Sequence, residues 1–133
     1  MPTPSETFIL QTIADIRATA DDIDARLRAI NIGNVSDILG IVWKIAHDEM
    51  EILQYACDAL DNAENLDHAI DILLYDARRP AWTTYSALSV LLDDEEFFAE
   101  LSAPVIREIQ STQKVAGHLN NLLDEIHTIY RGG

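Results

Sequence analysis

Seven apolar residues, Ile9, Ile13, Ile16, Ala20, Ile23, Leu27 and Ile30, follow one another at intervals of 4, 3, 4, 3, 4 and 3. Side chains three and four apart share one face of a helix, so this spacing describes an amphipathic α-helix with an unbroken a/d seam. A strand would alternate every second residue, and nothing here does. Ser5-Glu6 suits the helix start, with Pro4 outside it. Asn31-Ile32-Gly33-Asn34 suits its end, because Gly and Asn tolerate the left-handed conformation of a C-cap.

Ser36 is expected to cap a second helix with two interleaved apolar seams. One is Leu39, Trp43, Ala46, Met50, Leu53, Cys57 and Leu60; the other is Ile38, Val42, Ile45, Glu49, Ile52 and Ala56. Together they span about half the circumference at roughly 100° per residue, the width of a helix packed on two neighbours. After a break from Asp61 to Asn65, the residues Leu66, Ala69, Ile70, Leu73, Leu74 and Ala77 form a shorter helix. It is expected to stop before Pro80, which lacks an N–H and clashes with the preceding turn.

Arg78-Arg79-Pro80-Ala81-Trp82 then reads as a corner. Thr83 or Thr84 would cap a segment through Leu88, Leu91 and Leu92. Asp93-Asp94-Glu95-Glu96 suits the first turn of another short helix, where carboxylates meet the positive dipole end, with Phe97, Phe98 and Leu101 as anchors. Pro104 opens a last long helix along Val105, Ile109, Thr112, Ala116, Leu119, Leu123, Ile126 and Tyr130. The pattern predicts an all-α fold, an antiparallel four-helix-type bundle with three long helices and one arm broken at Pro80. It is expected to be one domain over residues 1–133.

Charge narrows the function classes. The chain carries 23 acidic residues against nine Lys and Arg, a net charge of −14. Residues 37–100 hold fifteen of those acids and three of the bases, so −12 of the net charge lies there. Between Lys44 and Arg78 there are nine acids and no Lys or Arg. Such a field repels nucleic acid and anionic membrane and attracts basic proteins or cations. No apolar run approaches the roughly 20 residues of a membrane span. Met1 to Phe8 has neither a basic nor an apolar signal-peptide region, and Cys57 is alone, so a cytoplasmic protein is expected.

The candidate partner-binding residues are acidic rows. Asp48, Glu51 and Asp58 fall along one stripe of the second helix; Glu64, Asp67 and Asp71 repeat the idea on the next, and Asp93, Asp94, Glu95 and Glu96 form a further cluster. Carboxylates in such rows lie roughly 4 to 11 Å apart along a helix, bracketing the advance of about 3.4 Å between successive phosphates of a strand. The reading is a non-enzymatic protein-binding module, in its sharp form a nucleic-acid-mimicking inhibitor of a basic nucleic-acid-binding protein, of the mobile-element or phage anti-defence type. The plainer reading is a solvated face that keeps a small protein soluble.

Two alternatives come from other classes. A structural or assembly subunit would form homo- or hetero-oligomers through Trp82, Phe97 and Phe98. A metal-binding bundle would use Glu49, which interrupts an apolar seam, with His47, His118 or His127. No Glu has a His three residues later, as the di-iron bundles require. The plainer role for Glu49 is an edge position paired with Arg17 or Lys114, and that for Cys57 a small core residue. Arg78 and Arg79 would sit at a helix C-terminus and neutralise Asp76 and Asp71, with Trp82 plugging the bundle end. No nucleophile–base arrangement or phosphate loop appears, and no catalytic residue or cofactor is assigned.

Overall fold

The computed structural model describes residues 4–33 and 37–132, and side chains over 6–33 and 38–129. The described residues form helices and their connections, with no strand among them. Helix α1 runs Pro4–Ala29, α2 Asp37–Ala59, α3 Leu66–Asp71, α4 Arg78–Leu92, α5 Glu95–Glu100 and α6 Ala103–Gly132. The three long helices have 26, 23 and 30 residues. Pro4 begins α1 instead of preceding it, and the proposed caps Ser5 and Ser36 fall outside the described side chains.

The helices α1, α2, α4 and α6 pack in a ring, each against the next. Cross-helix hydrogen bonds give the directions. Down α4, Arg78, Ala81 and Ser89 meet Asp124, Asn120 and Gln113 of α6, so the partner number falls as the chain rises. Arg17 meets Asp61 and Asp21 meets Gln54 in the same descending order. Neighbours are therefore antiparallel, as short connections demand.

The core is one apolar cluster. From α1, Ile9, Ile16, Ala20, Ile23 and Leu27 are buried; from α6, Ile109, Ala116, Leu119, Leu123 and Ile126 join them. Thr12 and Thr112 are tolerated in it because each hydroxyl donates to the carbonyl four residues back, Phe8 and Glu108. Gly33, φ +67°, makes the turn after α1, and Asn31 Oδ1 accepts its N–H at 2.9 Å.

The arm between α2 and α6 departs from expectation. Regular α-geometry is interrupted ahead of Pro80, at Ile72–Ala77, where the chain forms a π-helical segment joining α3 to α4 without a corner. Proline clashes with the carbonyl four residues back, here that of Asp76 inside this segment. A wider turn re-registers those carbonyls, so the helical path continues and Pro80 is buried in the first turn of α4. Thr84 caps nothing. It lies buried in mid-helix, its hydroxyl without a hydrogen-bond partner.

The short elements are capped as their sequences suggest. Asn65 Oδ1 accepts the His68 N–H at 2.8 Å while His68 Nδ1 accepts the Glu64 N–H at 3.1 Å, a reciprocal cap on α3. Asp94 Oδ1 accepts the Phe97 N–H at 3.0 Å and starts α5, with Glu95 and Glu96 in its first turn. Phe97 is fully buried beneath this cap.

Candidate protein-binding surface

The sequence leaves one question that only packing answers: which carboxylates have their charge met within the chain. The ion pairs among the described residues are Arg17–Asp61, Arg26–Asp22, Arg28–Asp24 and Arg78–Asp124. None of these uses a residue of the three candidate acidic clusters. Asp48, Glu51, Asp58, Glu64, Asp67 and Asp71 are all exposed, and so are Asp93, Glu95 and Glu96.

Two expected pairings are corrected. Arg17 serves Asp61, not Glu49, whose half-buried side chain lines a shallow groove with Ile52, Ala56 and Arg79. Arg78 opens α4 instead of ending a helix, and it reaches across to Asp124 of α6 at 2.6 Å, not to Asp71 or Asp76. Arg79, the other base assigned to Asp71 and Asp76, lines the groove that holds Asp76 and Glu49 and stands outside the four ion pairs.

The clusters do not all meet. Asp48, Glu51 and Asp58 follow the outer side of α2 towards its C-terminal end. Glu64, Asp67 and Asp71 follow in the chain, across the turn and onto α3. The cluster at Asp93–Glu96 follows the end of α4, which runs antiparallel to α2 with Arg79 beside Ile52. It therefore lies level with the start of α2, about 15 Å along the axis from Asp48. Asp94 is further committed as the cap of α5.

An apolar stripe runs beside the acids. The first α2 seam faces the core, with Trp43 and Leu60 half-buried, but of the second only Ala56 is buried and Val42 half-buried: Ile38 is 75% exposed, Ile45 40% and Ile52 49%. Ile41 at 60% and Tyr55 at 68% join them, so half of the ten large exposed apolar side chains among the described residues lie on α2. Sequence reasoning took apolar spacing to mean burial and missed Ile41 altogether. The signal was present, since Ile38, Ile41, Ile45, Ile52 and Tyr55 keep to one heptad register.

The aromatic residues are likewise redistributed. Trp82 does not plug the bundle end; it is 59% exposed and tilts against Tyr85 with ring centres 5.8 Å apart. Both line an open groove of about 810 Å³ between α4 and α6, with Lys114, His118 and the paired Arg78 on its walls. Gly117 forms part of its floor, where a Cβ would come within 3.3 Å of the Tyr85 ring.

Titratable groups in the core carry no sign of activation. Burial pushes the Cys57 thiol up to about 11, which keeps it protonated. Burial also lowers the pKa of His47, whose ring packs edge-on against Trp43 at 5.0 Å. Among the described residues no three His, Cys, Asp or Glu side chains gather as a metal site would require. Nor is any helix among them long and apolar enough to cross a membrane.

Compared with protein-family models, curated proteins and solved structures, the chain matches none.

Proposed function

We propose that this chain is a non-enzymatic module that binds a basic protein through the acidic region of α2 and α3. The observation that carries the reading is the distribution of ion pairs. Four arginines, Arg17, Arg26, Arg28 and Arg78, pair with Asp61, Asp22, Asp24 and Asp124, while Asp48, Glu51, Asp58, Glu64, Asp67 and Asp71 stay exposed outside those pairs. A row of unneutralised carboxylates on rigid helices steers a cationic partner and holds it by charge-assisted hydrogen bonds.

In its sharper form the module mimics nucleic acid. Rows rising by three to seven residues set carboxylates about 4 to 11 Å apart, within reach of a Lys/Arg-lined groove built for phosphates. A nucleic-acid-binding protein is the expected partner class, and DNA or RNA the expected competitor.

The test is capture from a cell extract on wild-type bait and on Asp67→Lys/Asp71→Lys bait. The reading expects a basic nucleic-acid-binding protein on the wild type, released by moderate salt and competed off by DNA or RNA. It expects that protein to be absent from the charge-reversed bait. Equal capture on both baits contradicts it.

A further inference from the structure

The exposed stripe of α2 is a helical seam that the bundle leaves uncovered. Ile38, Ile41, Ile45, Asp48, Ile52 and Tyr55 step by 3, 4, 3, 4 and 3, the a/d spacing of a coiled coil, which reads the same in either direction. Five of the six are apolar and well exposed. Tyr75 lines one groove with Ile52 and Tyr55. Val90, also exposed, lies three helical turns beyond Arg79 of that groove and so on the same face of α4. The two widen the apolar surface on its α4 side.

Charge decides what covers it. Lys44, the one Lys or Arg of α2, stands exposed and outside the ion pairs, four residues from Asp48 and seven from Glu51, so the stripe presents both signs along its edge. A second copy turned end to end matches them. We propose that two copies of this chain pair antiparallel through α2, about a two-fold axis level with the Ala46–His47 peptide.

In that register Ile38 faces Tyr55 of the second copy, Ile41 faces Ile52, and Ile45 faces Asp48. Lys44 of each copy comes beside Asp48 of the other and faces its Glu51 across the rim, so opposite charges meet twice by symmetry. A parallel pair would instead set Asp48 directly against Asp48 in the contact. The antiparallel pair staggers the two carboxylates by three residues, about 4.5 Å, and supplies each with a lysine. Asp48 thus costs affinity but selects the orientation, as a polar residue in a coiled-coil seam does.

The pairing goes beyond the basic-partner reading and does not rest on it. It leaves Asp58, Glu64, Asp67 and Asp71 outside the helix contact. It also brings Asp93–Glu96 of one copy to the same end as Asp58–Asp71 of the other. Because each copy carries −14, added salt screens the repulsion and strengthens self-association, whereas it weakens capture of a basic protein. The two readings therefore fail separately.

Sedimentation velocity over a concentration series, at low and raised salt, tests the pairing. Wild type is expected to dimerise, more tightly at the higher salt. Ile45→Asp is expected to be monomeric with an unchanged helical melt, and Asp48→Leu to dimerise about tenfold more tightly or better, its carboxylate no longer desolvated. Orientation is read by oxidising a mixture of Ile41→Cys and Ile52→Cys chains, in which buried Cys57 stays out of reach. The antiparallel register gives the 41–52 cross-link. Monomers at every concentration for both wild type and Asp48→Leu overturn the proposal, as do a dimer untouched by Ile45→Asp or a dominant 41–41 cross-link.

Discussion

Arg17 of α1 grips Asp61 beyond the end of α2 with both terminal nitrogens, one to each carboxylate oxygen, Nη2 to Oδ2 at 3.1 Å. The two residues are 44 apart in sequence. Their pairing fixes the register of α1 against α2 and removes one carboxylate from the base-free run. It also leaves Glu49 without the partner that its sequence position suggested.

This pair makes a titration prediction. The hydrogen bonds from Arg17 hold the Asp61 carboxyl below its ordinary 3.8. A depressed folded pKa adds stability that is fully present above the unfolded value and is lost as pH falls through the folded one. A carboxyl-detected NMR titration should find Asp61 below the ordinary 3.8, and Arg17→Ala should raise it.

His47 predicts a slope of the opposite chemical origin. Burial lowers its pKa from 6.5, so the folded state binds the proton less readily than the unfolded chain. Its contribution to stability is therefore present above about 6.5 and falls as pH drops through that value towards the folded pKa. Thermal melts of wild type and His47→Gln across this window isolate the effect, because the carboxylate background cancels in the difference. The variant should lack the wild-type loss.

Thr84 is a buried hydroxyl without a partner, whereas Thr112 donates to the Glu108 carbonyl at 2.8 Å. Replacing an unsatisfied buried hydroxyl by a methyl group of the same shape should stabilise by about 1 kcal/mol. Urea melts should place Thr84→Val above wild type and Thr112→Val below Thr84→Val.

The assembly alternative placed Phe97 and Trp82 together in exposed contacts, and the fold separates them. Phe97 is fully buried under α5, so Phe97→Ala should cost about 3–5 kcal/mol. Trp82→Ala removes a side chain that is 59% exposed, and it should cost about 1 kcal/mol or less. Comparable losses in the two melts would contradict this placement.

Much of the helix pattern was legible because one period, 3.6 residues, governs both local geometry and burial. Most described side chains of the α1 and α6 seams and of the first α2 seam went inside, with Ile13, Ile30, Trp43, Leu60 and Val105 half-buried. The second α2 seam did not, since apolar spacing marks a face that seeks cover without saying whether this chain supplies it. Pro80 was read by the rule that proline ends helices, but the π segment at Ile72–Ala77 absorbs the clash, an adjustment that periodicity does not register. The ion partners of Arg17 and Arg78 were illegible for a different reason. Their carboxylates lie on other helices, and only the antiparallel register brings them within reach. The acidic region was legible as composition; that its carboxylates escape the internal pairs emerged only with the packing.

The most direct measurement of the binding account is the affinity of the captured basic partner for wild type and for Asp67→Lys/Asp71→Lys, taken across an ionic-strength series. The account predicts steep weakening of the wild type with salt and a loss of about tenfold or more for the variant at low salt, with both proteins melting alike. Equal affinity of the two proteins at every salt concentration would contradict it.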